Sequence, residues 1–479
     1  MTEVTEASLS GDVPHPNTVL AVVLVTYLMI VLDISIVITG LPEIRRTLGF
    51  SPVALSWVQS AYLLCFGGFL LLAARMGDLM GRKRMLLAGI ALFTLSSLVI
   101  GAAQTPFELI AARAVQGIGA AILAPSVLAL IATTFPEGPE RTRALAWYSM
   151  VAGAGASLGL VLGGVFADQL SWRVGFLMNV PIGIALWIAA QRILIETRQQ
   201  SGAFDTVGAA ASTIGMTALV YGIVQSAESG WTDKGALWAI GAAIVLLAIF
   251  LVNEAHARQP ILPLRLFANR ERTAAYAARM LFIGSAVAFF FFSTQFMQEV
   301  LGYTPLQAGL GFLPMTIPTF IAAMAVPRLT RWLGNGLLLC FALALMAAGM
   351  LWLGQAGPDA DFWMDIALPM IVLGFGNGAG LGPLTVAGVS GVEERDHGAA
   401  SGLVNVAHQL GGALGLGILI LVYAAVSAPG LADAALLSHR IAAANTGAGL
   451  MNCLGLIVSL LFVLPADRAR RQRQAIERR

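Results

Sequence analysis

Residues 74–85 read Ala74-Arg75-Met76-Gly77-Asp78-Leu79-Met80-Gly81-Arg82-Lys83-Arg84-Met85, a short charged segment between two apolar runs. Each run, Ser56–Ala73 and Leu86–Ala103, approaches the roughly 20 residues that a helix needs to cross a bilayer. Gly77 and Gly81 permit a sharp reversal of the backbone, and Asp78 can accept hydrogen bonds from the free N–H groups of the next helix start. The segment therefore predicts a tight turn between two membrane helices, and its basic residues place that turn in the cytoplasm.

The composition of the whole chain indicates an integral membrane protein. Of its 479 residues, 58% are hydrophobic and 11% are charged, and the mean hydropathy is +0.81. Soluble domains carry about 25% charged residues. The net charge of +2 gives no indication of nucleic-acid binding, and three cysteines inside apolar runs predict no disulfide framework.

Fourteen apolar runs are predicted to be membrane spans. Their predicted bounds are 19–41, 53–74, 85–104, 107–134, 144–167, 172–194, 204–226, 235–253, 274–298, 305–328, 336–354, 362–390, 398–427 and 444–465. Because the number of spans is even, both termini are predicted to lie on the same side of the membrane.

The basic residues predict the orientation of these spans. With the N-terminus inside, 21 of the 28 Lys and Arg residues fall in cytoplasmic segments and 5 fall in outer segments. Basic residues in short loops stay inside, so both termini are expected in the cytoplasm. Arg45 and Arg46 fit this rule least well, since they lie in an outer segment.

The longest interior polar segment, Asn253–Arg272, separates a front block of spans from a back block. Pro327–Gly334 weakly repeats the opening segment, as expected if two spans are inserted between two six-helix units. The predicted domains are a cytoplasmic tail (1–18), an N-terminal six-helix bundle (19–195), two inserted spans (204–253), a cytoplasmic linker (254–273), a C-terminal six-helix bundle (274–465) and a basic cytoplasmic tail (466–479).

The segment Gly77-Asp78-x-x-Gly81-Arg82-Lys83-Arg84 resembles the signature loop of the major facilitator superfamily, and its six named residues are predicted to form a gating loop. Other segments resemble the motifs of its fourteen-helix drug:proton antiporters. These are Leu32–Val37 with Leu41-Pro42, Arg113–Ala121, Gly155–Gly164, Trp172–Gly183, Asp205–Trp231 and Asn405–Gly412. The sequence departs from the family pattern at several positions, which are Ile38, Ala74, Leu79, Leu160 and His408.

This resemblance implies an all-α integral membrane protein with the major facilitator fold, in which two six-helix bundles flank two additional central helices. It also implies a monomeric proton-coupled antiporter in the cytoplasmic membrane, which exports small amphipathic drugs or antibiotics by alternating access. Two alternatives share this fold, a proton-coupled importer of a small metabolite and a flippase for lipids or other amphiphiles. A membrane scaffold without transport is a third.

Ion coupling needs a titratable group inside the apolar bundle, and Asp33 is the candidate. Its span carries no other charge between Thr18 and Leu41, and a charged side chain at mid-membrane is costly. Asp33 is predicted to exchange a proton for substrate, and a structural hydrogen-bonding role is the alternative. Arg113, which keeps its proton, is predicted to assist proton transfer by holding a water or a carboxylate. Its alternative role is to bind helix-end carbonyls.

Gly155, Gly159 and Gly163 recur at four-residue spacing in span 5, and Gly164 follows them. Small residues allow close helix packing. We predict that this glycine face forms a sealing or hinge contact between the two bundles, and simple close packing is the alternative.

Several polar and aromatic residues are candidates to line a central cavity. They are Tyr27, Gln59, Tyr62, Gln116, Gln295, Gln298, Asn405 and His408. His408 is also expected to be a satisfied hydrogen-bonding residue, and Glu299 is expected to be solvated at a span end.

The sequence lacks the motifs of other activities. The five His residues show no metal-like spacing, and no Gly-x4-Gly-Lys-Ser/Thr loop is present for a nucleotide. No nucleophile and base stand out as a catalytic pair. We therefore expect no enzyme activity, no metal and no cofactor, with the proton gradient as the energy source.

Overall fold

The computed structural model describes residues 16–135, 138–197, 205–257, 260, 262–393, 396–427 and 432–477. Within them, fourteen helical spans are long and apolar enough to cross a membrane, as predicted. Numbered in chain order, spans 1–14 are Pro16–Leu48, Ala54–Met80, Arg82–Ala102, Pro106–Thr134, Arg143–Gln169, Trp172–Ile193, Thr206–Ser229, Lys234–His256, Arg270–Val300, Pro305–Leu333, Asn335–Leu353, Phe362–Gly388, Gly398–Ala425 and Asp433–Arg473.

Several helices extend beyond the predicted bounds because a helix does not end where its apolar run ends. Span 1 continues to Leu48, and span 14 begins at Asp433. The helix Leu464–Glu477 takes up most of the predicted basic tail. Of the predicted N-terminal tail, residues 1–15 lie outside the described residues, and Pro16 already begins span 1.

The six spans before the insertion and the six after it pack in the same pattern. In the first bundle, span 4 packs on spans 2 and 3, span 1 on span 5, and span 3 on span 6. In the second bundle, span 12 packs on spans 10 and 11, span 9 on span 13, and span 11 on span 14. Each pairing recurs eight spans later, so the weak sequence repeat corresponds to a structural duplication.

The two bundles meet mainly along four pairs of spans, one of which joins span 1 to span 10. Span 2 packs on span 13, span 5 packs on span 10, and span 1 packs on span 9. Spans 7 and 8 pack on each other, and span 7 also contacts spans 2 and 13. Span 8 is largely exposed on the outside of this assembly, as expected for a helix that faces lipid.

The turns after spans 2 and 10 show the duplication in detail. Gly81 and Gly334 end these helices with φ values of 100° and 88°, which glycine adopts without strain. The helix that follows each turn is capped by an acidic residue from the end of the same bundle. Glu196 accepts hydrogen bonds from the N–H groups of Lys83 and Arg84, and Asp467 accepts one from the N–H of Gly336.

Candidate functional site

Asp33 and Arg113 form a fully buried ion pair inside the first bundle. Arg113 Nη1 lies 2.6 Å from Asp33 Oδ2, and the side chains are 1% and 0% exposed, respectively. Asp33 sits in the middle of span 1, and Arg113 lies two turns into span 4, which begins at a capping box formed by Thr105 and Glu108. The sequence singled out both residues, and the structure brings them together.

Amide side chains complete the hydrogen bonding of the Asp33 carboxylate. Gln116 Nε2 and Asn179 Nδ2 donate to its Oδ1 at 2.8 and 2.9 Å. Both amides also donate to the Ser97 hydroxyl, at 2.8 and 3.4 Å. The carboxylate thus accepts three N–H donors from spans 4 and 6, and such donors favour its charged form.

Arg113 is held from three further directions. Its Nη1 donates to Gln116 Oε1 at 2.6 Å, and its Nε donates to the backbone carbonyl of Val58 at 3.0 Å. The Tyr62 ring lies 4.3 Å from the guanidinium carbon, close enough for a cation–π contact. This network joins spans 1, 2, 3, 4 and 6, so a change in the charge of Asp33 would affect five of the six spans of the first bundle.

A cavity of about 650 Å³ lies between spans 2, 4 and 5 of the first bundle and span 13 of the second. It lies at the end of the molecule that carries the Gly81 turn, because Asp78 and Arg82 are part of its wall. Apolar residues such as Phe66 and Leu128 alternate there with polar ones such as Asn405. Small-molecule sites commonly have volumes of about 300–1,000 Å³ and such mixed walls.

Among the predicted cavity residues, Asn405 lines this space. Tyr27 stacks on the cavity residue Tyr148 with ring centroids 4.0 Å apart. The prediction is wrong for Tyr62 and Gln116, which are fully buried around Arg113. Both were predicted from polarity alone, which does not reveal which helix face points inward.

The other predicted cavity residues also lie in contacts within the protein. Gln59 is buried, and its Nε2 has no hydrogen-bond partner among the described residues. Gln295 is buried and donates to the carbonyl of Phe291 in its own helix. His408 accepts a hydrogen bond from Arg279 through Nδ1 at 3.2 Å, so it is the hydrogen-bonded residue that the sequence predicted.

The turn between spans 2 and 3 is tighter than predicted. Gly77 and Asp78 belong to the last turns of span 2, and Arg82, Lys83 and Arg84 form the first turn of span 3. The prediction that Asp78 caps the next helix is wrong, since Glu196 occupies that position. Asp78 instead accepts a hydrogen bond from Arg82 Nη2 at 2.5 Å.

Both glycines of this turn leave room for the charged groups around it. A Cβ at Gly77 would lie 2.5 Å from Arg82 Nη1, and one at Gly81 would lie 2.4 Å from the Glu196 carboxylate. Lys83 Nζ donates to the carbonyl of Gln191 at 2.8 Å. Hydrogen bonds therefore attach the turn to the end of span 6 as well as to span 2.

The glycine face of span 5 packs within the first bundle. Cβ atoms at Gly155, Gly159 and Gly163 would approach side-chain or backbone atoms of span 1 within 3 Å. The predicted contact between bundles is therefore wrong for these three residues. Gly164 does face the second bundle, where its Cβ would lie 2.6 Å from the carbonyl oxygen of Pro305.

The bundles are also joined at the end away from the cavity. Arg45 of span 1 forms an ion pair with Glu299 of span 9, and Gln298 Nε2 donates to the carbonyl of Thr39 at 2.8 Å. Glu299 is therefore not simply solvated, as the sequence analysis expected. Polar contacts join the bundles at this end, and the cavity between spans 2, 4, 5 and 13 lies at the other.

Sequence reasoning missed the roles of Asn179, Ser97 and Glu196. Asn179 lies within a segment that resembles a family motif, which is a signal that could have identified it. The contributions of Ser97 and Glu196 depend on spatial contacts, and no spacing in the sequence indicates them.

Comparisons with known proteins agree with this architecture. The sequence profile described as Major Facilitator Superfamily matches residues 23–416. The chain is 40% identical over 430 residues to a cephamycin export protein of Amycolatopsis lactamdurans, covering 88% of each sequence. It is 36% identical over 439 residues to a puromycin resistance protein of Streptomyces alboniger, covering 90% of this chain and 86% of the relative.

A solved structure has the same fold. It is a bacterial homologue of the human lysosomal transporter Spinster, with a TM-score of 0.65 at 14% identity. The match covers 95% of this chain and 98% of that one.

Proposed function

The chain belongs to the Major Facilitator Superfamily, and we propose that it exports amphipathic antibiotics or drugs from the cytoplasm in exchange for protons. The observation that carries this proposal is the cavity between the bundles combined with the similarity to antibiotic export and resistance proteins. The mixed apolar and polar wall of this cavity suits a cargo with a hydrophobic body and a few polar groups.

Alternating access supplies the transport cycle in this proposal. The structure has its cavity at the end that carries the Gly81 turn, and the bundles are joined at the other end by Arg45 and Glu299. Rocking of one bundle against the other would open the Arg45–Glu299 end and close the cavity end. Spans 2 and 13 pack directly on each other, which makes this pair a suitable pivot.

Proton coupling is assigned to Asp33 in this proposal. The carboxylate is charged while it accepts hydrogen bonds from Arg113, Gln116 and Asn179. Proton uptake would remove its attraction for Arg113 and turn one oxygen from an acceptor into a donor, so the network would have to rearrange. Span 1 would transmit that change to its far end, where Thr39 and Arg45 contact the second bundle.

The proposed location is the cytoplasmic membrane, with both termini in the cytoplasm and the cavity open to that side. The distribution of basic residues supports this orientation. The proposed working unit is a monomer, because one chain supplies both bundles and the cavity between them.

A drug-susceptibility and accumulation panel tests the proposal in cells with and without the protein. Expression should raise resistance to amphipathic antibiotics and lower their accumulation, and collapse of the proton gradient should abolish both effects. Accumulation that rises with expression would indicate import instead. An unchanged panel, together with movement of labelled lipid in proteoliposomes, would indicate a flippase.

A further inference from the structure

Arg279 is a buried arginine in span 9 of the second bundle. It lies two turns after Arg272, which is equally buried and donates to the backbone carbonyls of Leu266, Ser390 and Gly391. The side chain of Arg279 is about as buried as a core residue, with 6% of the residue exposed. It donates from Nη1 to the Thr385 hydroxyl at 2.9 Å and from Nη2 to His408 at 3.2 Å, while its Nε has no hydrogen-bond partner in the part of the chain that the structure describes. Within the described ranges, no carboxylate forms an ion pair with it.

Arg113 and Arg279 differ in how their charge is balanced. Arg113 faces the Asp33 carboxylate at 2.6 Å, and its Nε donates to a backbone carbonyl. Arg279 has the same permanent charge but meets only a hydroxyl and an imidazole. Burial of a charge without an opposite charge is costly. An anion that binds from outside the chain would therefore stabilise the buried guanidinium of Arg279.

The neighbours of Arg279 also present N–H groups. A guanidinium only donates, so His408 Nδ1 must be the acceptor, and the neutral ring then carries its proton on Nε2. The Thr385 hydroxyl donates to the carbonyl of Leu381 at 2.9 Å, which leaves its oxygen to accept from Arg279. The unused groups are therefore N–H donors, Arg279 Nε and His408 Nε2, and donors of this kind recognise an oxyanion.

This cluster adjoins the cavity between the bundles. Asn405 and Gln409 line the cavity one helical turn apart on span 13, and His408 lies between them in sequence. His408 is only partly buried, in contrast to Arg279 behind it. His408 and Arg279 are not themselves part of the cavity wall, so the carboxylate of a cargo would have to reach them past Asn405 and Gln409.

We propose that Arg279 and His408 form a subsite that binds the carboxylate of an anionic amphipathic cargo. This inference rests on the proposed export function and adds a substrate class to it. The apolar part of such a cargo would occupy the cavity, while its carboxylate would take up the unused N–H groups. Carboxylate cargo should then be preferred over an uncharged molecule with the same body.

The test uses three fluorescent probes with one hydrophobic body, 1-pyrenebutyrate, 1-pyrenebutanol and 1-pyrenebutylamine. Purified protein is reconstituted in liposomes, and the initial rate of proton-driven movement is measured for each probe. The parent protein should move the carboxylate about tenfold faster than the alcohol, since one charge-assisted interaction commonly amounts to a factor of that size. Arg279→Gln should remove this preference while movement of the alcohol continues.

Matched variants separate recognition from folding. Arg279→Lys keeps the charge and should retain part of the preference, while Thr385→Val keeps both Arg279 and His408 and should retain most of it. If Arg279→Gln does not fold, binding is measured instead of movement. The rise in the midpoint of thermal unfolding that 1-pyrenebutyrate causes should then be larger for the parent than for Arg279→Lys.

The outcomes distinguish the two proposals. If the parent moves all three probes at equal rates and Arg279→Gln changes none of them, the anion subsite is wrong and export stands. If the parent moves none of the probes and fails the antibiotic panel as well, the export function itself is wrong. Preference for the amine would overturn the subsite, because a guanidinium repels a cation.

Discussion

Arg45 Nη1 lies 2.7 Å from Glu299 Oε2 and 2.8 Å from its Oε1, and this ion pair joins the ends of spans 1 and 9. The side chains of Arg45 and Glu299 are 30% and 24% exposed, so water screens the attraction between their charges. Pairs of this kind contribute about 0.2–1 kcal/mol. The contact is therefore suited to biasing a conformational equilibrium that can still reverse during transport.

The first prediction is that Glu299→Gln shifts the protein toward the state that is open at this end. Loss of about 0.2–1 kcal/mol corresponds to a change of about 1.4- to 5-fold in the population ratio. Spin labels on the facing ends of spans 1 and 10 would report the change as a longer distance. Arg46→Gln, which disrupts only an exposed pair with Glu43 in the same helix, should leave the distance unchanged.

A charge exchange tests whether the pair itself is responsible. Arg45→Glu combined with Glu299→Arg should restore the parental distance distribution. A double variant that behaves like the sum of the single variants would contradict an ion-pair contact at this position.

The second prediction is that Asp33→Asn abolishes proton-coupled export, because asparagine keeps the shape and cannot titrate. Drug-induced proton release from purified protein should disappear, while Asp33→Glu should retain some release. The change also leaves Arg113 buried without its partner, and breaking such a pair commonly costs about 3–5 kcal/mol. Asp359→Asn, at an exposed position, serves as the control for proton release.

A double variant separates coupling from stability. Asp33→Asn with Arg113→Gln removes both charges and should recover much of the lost thermal stability without recovering coupling. Normal proton release and export by Asp33→Asn alone would make Asp33 a structural residue.

The third prediction concerns the turn between spans 2 and 3. Asp78→Asn removes the carboxylate that pairs with Arg82 and should lower the transport rate about 1.4- to 5-fold without loss of membrane insertion. Glu196→Gln is the comparison, since it weakens the helix cap and keeps the Asp78–Arg82 pair. It should instead lower the midpoint of thermal unfolding, as loss of an N-terminal cap costs about 0.5–2 kcal/mol. Equal transport by Asp78→Asn and the parent at matched expression would rule out a gating role for Asp78.

The fourth prediction is that Gly163→Ala destabilises the first bundle by about 1–3 kcal/mol. The new Cβ would lie 2.3 Å from the carbonyl oxygen of Ile36, and this backbone atom can move only if span 1 moves with it. Gly241→Ala is the matched control, because no atom of the described residues lies within 4 Å of its Cβ position. Thermal unfolding in detergent measures the stability of both variants. Equal unfolding midpoints would show that span 1 can move to accept the new Cβ without a loss of stability.

The fifth prediction concerns orientation. A green fluorescent protein fused after residue 479 should fluoresce, because both termini are expected in the cytoplasm, where this reporter folds. An alkaline phosphatase inserted at Gly230, between spans 7 and 8, should be active on the outer side. The opposite pair of signals would reverse the topology proposed from the basic residues.

Much of the fold follows from properties that are local in the sequence. The number of spans depends on the lengths of apolar runs, and the turn at Gly81 depends on a glycine between charged residues. Asp33 and Arg113 were identifiable because a charge within an apolar run is costly wherever the helix packs. Each of these features requires only the residue and its neighbours along the chain.

The tertiary structure decided which groups meet. Asp33 pairs with Arg113 across 80 positions, Glu196 caps a helix that starts more than 110 positions earlier, and Arg45 meets Glu299 across 254 positions. The reason is physical: a helix in lipid is apolar on all sides, so hydropathy does not mark the face that packs inward. The sequence therefore determined that these helices cross the membrane and where a charge is buried. Only the packing of the bundles decided that Arg113 has a counter-charge while Arg279 has none among the residues that the structure describes.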